Sequence, residues 1–408
     1  MTIPRADAVA LDARDPLAPW RDRFVLPAGV RYFAGNSLGP PARGVAARVA
    51  RAVEAEWGGE LVGAWHGWIE LPRRLAGRLA PLLGVGADEV VVADSTTVDL
   101  FKLLGALLEA AGGRRRVVAV EGCFPSDLYA AEGLARLVGG ELVAAPVAEL
   151  DAALGRDTAA LLVSHVDFRS GALHDLRALA TLARGAGARL VADLSHSAGV
   201  MPLPLESWGV ELAVGCTYKF LGGGPGSPAF LVVARGLQEA MVPPLRGWLG
   251  HAEPFAFESR YRPAPGIERF HCGTPPILAL AALEGALEAL EGLDLAAARR
   301  KVESLGDLLV ALADQELAGA GVEVASPRPA RRRGAQVSLR HPEAFALVQA
   351  LIARGFVGDF RAPDLLRFGL PPLTLRHADV WDLVASLREL LASGAHRDPA
   401  YADRRFVT

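Results

Sequence analysis

Residues 189–233 read RLVADLSHSAGVMPLPLESWGVELAVGCTYKFLGGGPGSPAFLVV, and this stretch decides the fold. Short runs rich in Val, Leu and Ala, at residues 189–194, 211–215 and 229–233, are typical of buried strands. Polar residues follow the first two runs directly. Because the carboxyl ends of neighbouring parallel strands form one edge of a sheet, we expect these polar residues to share a crevice.

The same alternation extends back to residue 89. Runs at residues 89–94, 116–120 and 159–164 also indicate buried strands, and stretches of helical period, closed by glycine, lie between them. This pattern predicts an α/β fold whose large domain has a mostly parallel sheet, of the seven-stranded type, sandwiched by helices. A smaller α/β domain would be built from the N-terminal segment, residues 1–60, and from residues 281–408. Residues 61–280 would form the large, ligand-binding domain.

Composition limits the classes of function. The 408 residues carry 43 Lys and Arg against 46 Asp and Glu, a net charge of −3, so no long-range attraction to nucleic acid is expected. The basic run at residues 331–333 is too short for a binding arm, and we interpret it as a solvated loop. The three cysteines are far apart in the sequence and do not form CxxC or similar pairs, so we expect no metal site. Without a signal-like or membrane-spanning apolar run, a cytoplasmic enzyme is expected.

The chemistry is concentrated at Asp193 and Lys219. Asp193 ends one predicted strand, and Lys219 lies 26 residues later, between another strand and a glycine-rich stretch. An aspartate and a lysine in one crevice are what pyridoxal phosphate (PLP) requires: the carboxylate keeps the pyridine nitrogen protonated, and the amine forms the Schiff base. Taken singly, Asp193 could be a loop cap and Lys219 a surface lysine.

A phosphate site is expected with such a cofactor. In DSTTVDLFKLL, Thr96 and Thr97 come immediately before a helical pattern, where hydroxyls and free backbone N–H groups gather. An ordinary N-cap is an equally good interpretation. The glycines at 222, 224 and 226 are not followed by the Lys-Ser/Thr of a nucleotide-binding P-loop.

Seven motifs occur together along the chain. They are RYFAGNSLGPP (31–41), GCFPSDLYA (122–130), VDFRSGALHDL (166–176), DLSHSAG (193–199), GCTYKFLGGGPG (215–226), GWLGHAEPF (247–255) and FHCGTPPIL (270–278). In order and approximate spacing they resemble the kynureninase family, which belongs to the aspartate-aminotransferase superfamily of PLP enzymes of fold type I. Any one motif alone would be a weak signal.

The resemblance implies roles for individual residues. For the cofactor it implies Thr96, Thr97, Phe124, Ser126, Asp127, Ser164, Asp193, His196, Tyr218, Lys219, Trp248 and Thr274. Phe124 would stack on the ring, and Trp248 and Thr274 would reach the phosphate across a homodimer interface. Lys219, Tyr218 and Asp193 would be catalytic, with Tyr218 as a proton relay.

For the substrate, the resemblance implies that Arg367 holds the α-carboxylate through a two-pronged charged hydrogen bond. Asn36, Ser37, Trp65 and His66 would border the pocket for the aryl ring. Thr374, where relatives often have an aromatic residue, and the short AWHGW segment at residues 64–68 depart from the family pattern. These departures concern which aryl substituent fits.

The activity implied is hydrolysis of L-kynurenine, of 3-hydroxykynurenine, or of both, to anthranilate or its 3-hydroxy form and L-alanine. The Cβ–Cγ bond would break after a Lys219 aldimine, a quinonoid and a ketimine, in tryptophan catabolism or NAD biosynthesis. Two alternatives stay open. A cysteine desulfurase or an aminotransferase would share Asp193 and Lys219, although a desulfurase also needs a reactive cysteine. A non-catalytic PLP-binding protein would keep the fold alone.

Overall fold

The computed structural model describes residues 3–402, which form a mixed α/β protein. The strands are β1 Arg31–Tyr32, β2 Val90–Ala93, β3 Arg116–Val120, β4 Glu141–Ala145, β5 Thr158–Ser164, β6 Arg189–Asp193, β7 Leu212–Gly215, β8 Ala229–Val233, β9 Glu323–Val324, β10 Gln336–Arg340, β11 Phe356–Val357, β12 Asp359–Arg361 and β13 Leu365–Gly369. The α-helices are α1 Arg5–Asp12, α2 Arg43–Arg51, α3 Trp65–Trp68, α4 Leu71–Leu83, α5 Thr96–Ala110, α6 Pro125–Leu137, α7 Leu150–Ala153, α8 Leu176–Gly185, α9 Leu205–Trp208, α10 Arg235–Gln238, α11 Ile277–Glu288, α12 Leu295–Glu316, α13 Ala344–Ala353 and α14 His377–Ser393.

Seven strands form the central sheet, in the order β2-β8-β7-β6-β5-β3-β4. Strand β8 pairs antiparallel with both of its neighbours, and the other strands run parallel to one another. The predicted fold class, a mostly parallel seven-stranded sheet, is confirmed. The sequence did not indicate β4, because this edge strand is mostly half-exposed or exposed and lacks a continuous apolar run.

Helices cover both faces of this sheet, which explains why its inner strands are apolar along their whole length. On β3, Val118 and Val120 pack with residues of α4 and α8 on one face of the sheet, whereas Val117 and Ala119 pack with α5 and α6 on the other face. Successive side chains of a strand point to opposite faces, so each apolar run contributes to both faces of this large core.

A second hydrophobic core lies under a four-stranded antiparallel sheet in the order β12-β13-β10-β9. The N-terminal segment joins it, since β1 pairs in parallel with β11 and the Phe33 ring meets the Phe368 ring edge-on at 6.0 Å. Helix α12 contributes to both cores: Ala298 and Val302 pack in the large one and Leu305 in the second. The division at residues 60 and 280 stays a prediction.

Among the described residues, every helix is too short or too polar to cross a lipid bilayer.

Candidate active site

The predicted crevice lies at the carboxyl edge of the central sheet. Strands β5 and β6 pair in register, so that Ser164 is opposite Asp193 at the last position of each. Strand β7 ends at Gly215, and the chain then leads through Tyr218 to Lys219. Three adjacent parallel strands therefore deliver their polar exit residues to one place.

Asp193 is buried and held in a fixed orientation. Its Oδ1 accepts hydrogen bonds from the backbone N–H of Ser195 at 2.9 Å and from the Ser195 hydroxyl at 2.5 Å. The same hydroxyl oxygen accepts from the backbone N–H of Cys216 at 3.1 Å. Ser195 thus connects the end of β6 to the end of β7.

Asp127, in the first turn of α6, brings a second carboxyl group to the same edge. The Ser164 hydroxyl donates to Asp127 Oδ2 at 3.3 Å and accepts from the backbone N–H of Phe124 at 3.0 Å. Burial, and after it the neighbouring charge of Asp193, raise the pKa of Asp127 well above its ordinary value. A buried pair of carboxyl groups at this edge can bind a protonated ring nitrogen.

Lys219 lies between two aromatic rings. Its Nζ is 5.7 Å from the centroid of the Phe124 ring and 5.8 Å from that of the Tyr218 ring. Within residues 3–402 it forms no ion pair, so its amine is not tied to a protein carboxylate. The backbone on either side is packed closely: a Cβ added to Gly39 would lie 2.1 Å from the Lys219 carbonyl oxygen. A glycine is therefore required there.

Tyr218 and His196 have neutral side chains at this site. Burial, followed by the charges of Cys216 and the two aspartates, raises the pKa of Tyr218, so its phenol stays protonated. Burial also lowers the pKa of His196 well below its ordinary value, and the positive charges of Lys219 and Arg367 add to this effect. A neutral imidazole and a protonated phenol can both donate hydrogen bonds to a ligand.

The phosphate-binding prediction fell on a helix N-terminus, but the helix begins earlier than expected. Helix α5 starts at Thr96, and Ser95 is the N-cap, whose hydroxyl oxygen accepts from Val98 N–H at 3.4 Å. Thr96 and Thr97 therefore lie inside the first turn, not before it, where backbone N–H groups lack partners within the helix. Ser126 occupies the corresponding turn of α6.

Arg367 is almost fully buried and engaged by the protein. Its Nε donates to Asp359 Oδ1 at 2.6 Å, and its Nη2 donates to the other oxygen of Asp359. Nη1 donates to the Phe168 carbonyl at 2.8 Å, and Nη2 also to the Ser37 hydroxyl at 2.9 Å. Four of its five N–H donors are thus used. Nearby, Asn36 Nδ2 donates to Gln336 Oε1 at 2.9 Å, while its buried Oδ1 has no partner among the described residues.

Apart from Thr96, Thr97 and Ser126, which lie in the first turns of α5 and α6, the predicted site residues fall into two groups. We call the first the inner cluster; it comprises Asn36, Ser37, Phe124, Asp127, Ser164, Asp193, His196, Tyr218, Lys219 and Arg367. Trp65 and Trp248 lie elsewhere, in a chain of edge-to-face ring contacts that we call the aromatic patch: Trp65, Trp68, Trp248, Phe255 and Phe257. His66 and Thr274 are exposed. Within the described chain, no hydrogen bond, ion pair or ring contact joins this second group to the inner cluster.

Comparison with known proteins gives one consistent result. The family model described as "Kynureninase C-terminal domain" matches residues 298–387. A kynureninase of Burkholderia mallei (strain SAVP1) is 46% identical over 414 residues, covering 99% of this chain and 99% of that protein. A kynureninase of Pseudomonas fluorescens is 44% identical with the same coverage. The chain belongs to the kynureninase family.

Solved structures of lower identity share the fold. A complex of the cystine C-S lyase C-DES with its product cysteine persulfide superposes with a TM-score of 0.77 at 19% identity, covering 89% of this chain and 98% of that one. A cysteine desulfurase of Thermococcus onnurineus NA1 gives a TM-score of 0.76 at 18% identity, covering 92% and 98%.

The inner cluster of this kynureninase-family chain fits PLP, the cofactor that its sequence implies. An unpaired lysine amine stands beside an aromatic face, a buried acid pair lies at the sheet edge, and a helix N-terminus with two threonines opens towards the same edge. These match the aldehyde, the ring nitrogen and the phosphate of PLP in turn.

Sequence reasoning gave no role to Asp359, Phe168 and Gln336. Asp359 pairs with Arg367 across the hairpin of β12 and β13, and the Phe168 ring meets the Phe124 ring edge-on at 5.2 Å. A signal for Asp359 was present in DFRAPDLLRFG, because an acid and an arginine flanking a Pro-Asp turn can face each other across a hairpin. Phe168 and Gln336 gave no such local signal.

Proposed function

We propose that this kynureninase-family protein hydrolyses L-kynurenine, 3-hydroxykynurenine, or both, to the corresponding anthranilate and L-alanine, with PLP as its cofactor. The proposal rests on one observation: Lys219, which forms no ion pair within residues 3–402, lies at the same site as the buried Asp127 and Asp193. The chain that carries this site is 46% identical to a kynureninase over 99% of its length. Bound PLP supplies the electron sink that such a cleavage requires.

Three residues of the inner cluster then have a chemical role. Lys219 would hold the cofactor aldehyde, and its amine, when free, would take the proton from the substrate α-carbon. Asp193, oriented by Ser195, holds the proton of the pyridine nitrogen. Tyr218 keeps its phenolic proton at neutral pH and can deliver it in the later steps.

The cysteines argue against the desulfurase alternative. Desulfurase chemistry needs a thiolate or an easily ionised thiol. Burial raises the pKa of Cys123 to about 12, and burial is also the first cause of the raised pKa values of Cys216 and Cys272. All three thiols therefore stay protonated at neutral pH.

We also propose a homodimer with shared active sites. In the aromatic patch, Phe255 is 63% and Phe257 80% exposed, and Val62, three residues before Trp65 in the sequence, is 80% exposed. Contiguous apolar surface of this kind favours burial against a partner. Trp248 belongs to the patch and Thr274 is exposed, so a second copy could bring both to an inner cluster. A cytoplasmic enzyme of tryptophan breakdown or NAD biosynthesis is the setting we propose.

The test is turnover of both substrates, side by side, by purified PLP-loaded protein, with anthranilate fluorescence as the readout. Lys219→Ala should abolish turnover and the visible absorbance of lysine-linked PLP. Lys219→Arg is the matched control, because it keeps the positive charge but cannot condense with the aldehyde, and it should be equally inactive. Undiminished turnover in either variant contradicts the proposed role of Lys219, and no turnover of either substrate by the wild type contradicts the proposed function.

A further inference from the structure

Two arginines share one buried carboxylate beside the inner cluster. Asp359 pairs with Arg367, and Arg361 Nη2 lies 3.4 Å from Asp359 Oδ2. Among residues 3–402, neither arginine forms an ion pair with another carboxylate. Burial, followed by the charge of Asp359, raises the pKa of Tyr32, so this neighbouring phenol supplies no negative charge. The group therefore carries one unneutralised positive charge.

The two arginines differ in what they can offer a ligand. Arg367 is almost completely buried and has four N–H donors bonded to protein oxygens. The side chain of Arg361 is 34% exposed. Its Nη1 donates to the Phe360 carbonyl at 3.0 Å and its Nη2 makes the long contact with Asp359, while its Nε has no partner in the described part of the chain. Arg361 is thus the guanidinium with unused donors.

Arg361 adjoins the inner cluster through Asp359. The two side chains lie on the same face of β12, because successive side chains of a strand point to opposite faces, and the Asp359 carboxylate contacts Arg367 and Ser37. The positive charges of Lys219, Arg367 and Arg361 all contribute, after burial, to lowering the pKa of His196. A single buried imidazole therefore lies within electrostatic reach of all three cations. Arg361 therefore belongs to the charged surroundings of the inner cluster.

We propose that Arg361 and Arg367 together form the binding site for the α-carboxylate of the substrate. Arg361 faces the substrate, and Arg367 lies behind it, oriented by Asp359 and Ser37. The substrate carboxylate would be the second anion that balances the two guanidiniums. Arg361 would then set the preference for amino acids over amines that lack a carboxylate. The inference deepens the proposed function and rests on it for the identity of the substrate.

The experiment is a spectral titration of the PLP-loaded protein with L-alanine and with L-alaninamide, which differ in the carboxylate. Arg361→Gln should weaken the apparent affinity for L-alanine on the order of 10- to 100-fold, the effect of a lost charge-assisted contact, and change that for L-alaninamide less than about 2-fold. Arg361→Lys keeps the charge without the planar fork, so it should show an intermediate loss and serves as the second variant should the glutamine variant misfold.

Arg340→Gln is the matched control, because Arg340 lies on β10 of the same small sheet and its ion pairs with Glu323 and Asp364 are partly exposed. It should bind both ligands as the wild type does. Equal weakening of both ligands, or of neither, by the Arg361 variants overturns the inference. If the wild type does not hydrolyse kynurenine, but Arg361→Gln selectively weakens the binding of L-alanine, the proposed function is wrong and the proposed carboxylate-binding site is supported.

Discussion

Replacing Asp359 with asparagine should destabilise the protein by about 3 kcal/mol. The Asp359 side chain is 0% and that of Arg367 2% exposed, and the carboxylate accepts from Arg367 Nε at 2.6 Å and from the Ser37 hydroxyl at 2.5 Å. Removing one partner of a buried ion pair costs roughly 3–5 kcal/mol, because the remaining charge is left uncompensated. Asparagine keeps one acceptor oxygen, which places the expected loss at the lower end of that range.

The measurement is urea unfolding followed by circular dichroism, with and without PLP. Asp314→Asn is the matched control, since Asp314 pairs with Arg328 on the surface, where the side chains are 45% and 60% exposed. An exposed pair contributes about 0–1 kcal/mol, so this variant should stay close to the wild type. If Asp359→Asn also stays within about 1 kcal/mol of the wild type, Arg367 does not depend on Asp359, and the argument for two arginines around one carboxylate fails.

Two further predictions concern pH and assembly. Burial, opposed by the charge of Lys102, raises the pKa of Asp99 to about 7, so its contribution to stability is complete at acidic pH and is lost as pH rises through about 7. Between pH 5 and pH 8, the free energy of unfolding of the wild type should therefore fall by about 2 kcal/mol relative to that of Asp99→Asn. Urea unfolding at each pH measures both values, and a difference between them that does not change with pH would refute the prediction. Phe257→Asp places a charge in the aromatic patch and should convert the dimer to a monomer in analytical ultracentrifugation. Leu137→Asp is the control, because Leu137 on α6 is similarly exposed, and it should leave the dimer intact. Unchanged sedimentation of Phe257→Asp would exclude the patch from the interface.

Local rules were enough to predict six of the seven strands of the central sheet, and Asp193 and Lys219 at its edge, whereas the other residues of the inner cluster came from the family resemblance. Asp193 and Lys219 were predicted together because Asp193 ends one buried strand, Lys219 comes shortly after the next, and adjacent parallel strands end at one edge. The start of α5 was misplaced by local rules as well, since Ser95, Thr96 and Thr97 are all good N-cap residues and the sequence does not decide among them.

The surroundings of Arg367 could not be predicted in this way. Its partners Phe168 and Ser37 are 199 and 330 residues away along the chain, so their contacts depend on how the second core docks against the central sheet. The role given to Arg367 came from a resemblance of motifs, which identifies a residue but does not say which of its donors the protein already uses.

That limit explains why Arg361 went unnoticed in the sequence. In DFRAPDLLRFG two arginines flank a turn, and a motif comparison marks one of them. The hairpin of β12 and β13 places Asp359 opposite Arg367 and leaves Arg361 at the end of β12, partly exposed. Both oxygens of Asp359 accept hydrogen bonds from Arg367, which lies opposite it in the hairpin. The register of the hairpin therefore decides which arginine keeps unused donors. A motif comparison does not show this pairing, so it could not identify Arg361 as the arginine whose Nε has no partner in the described chain.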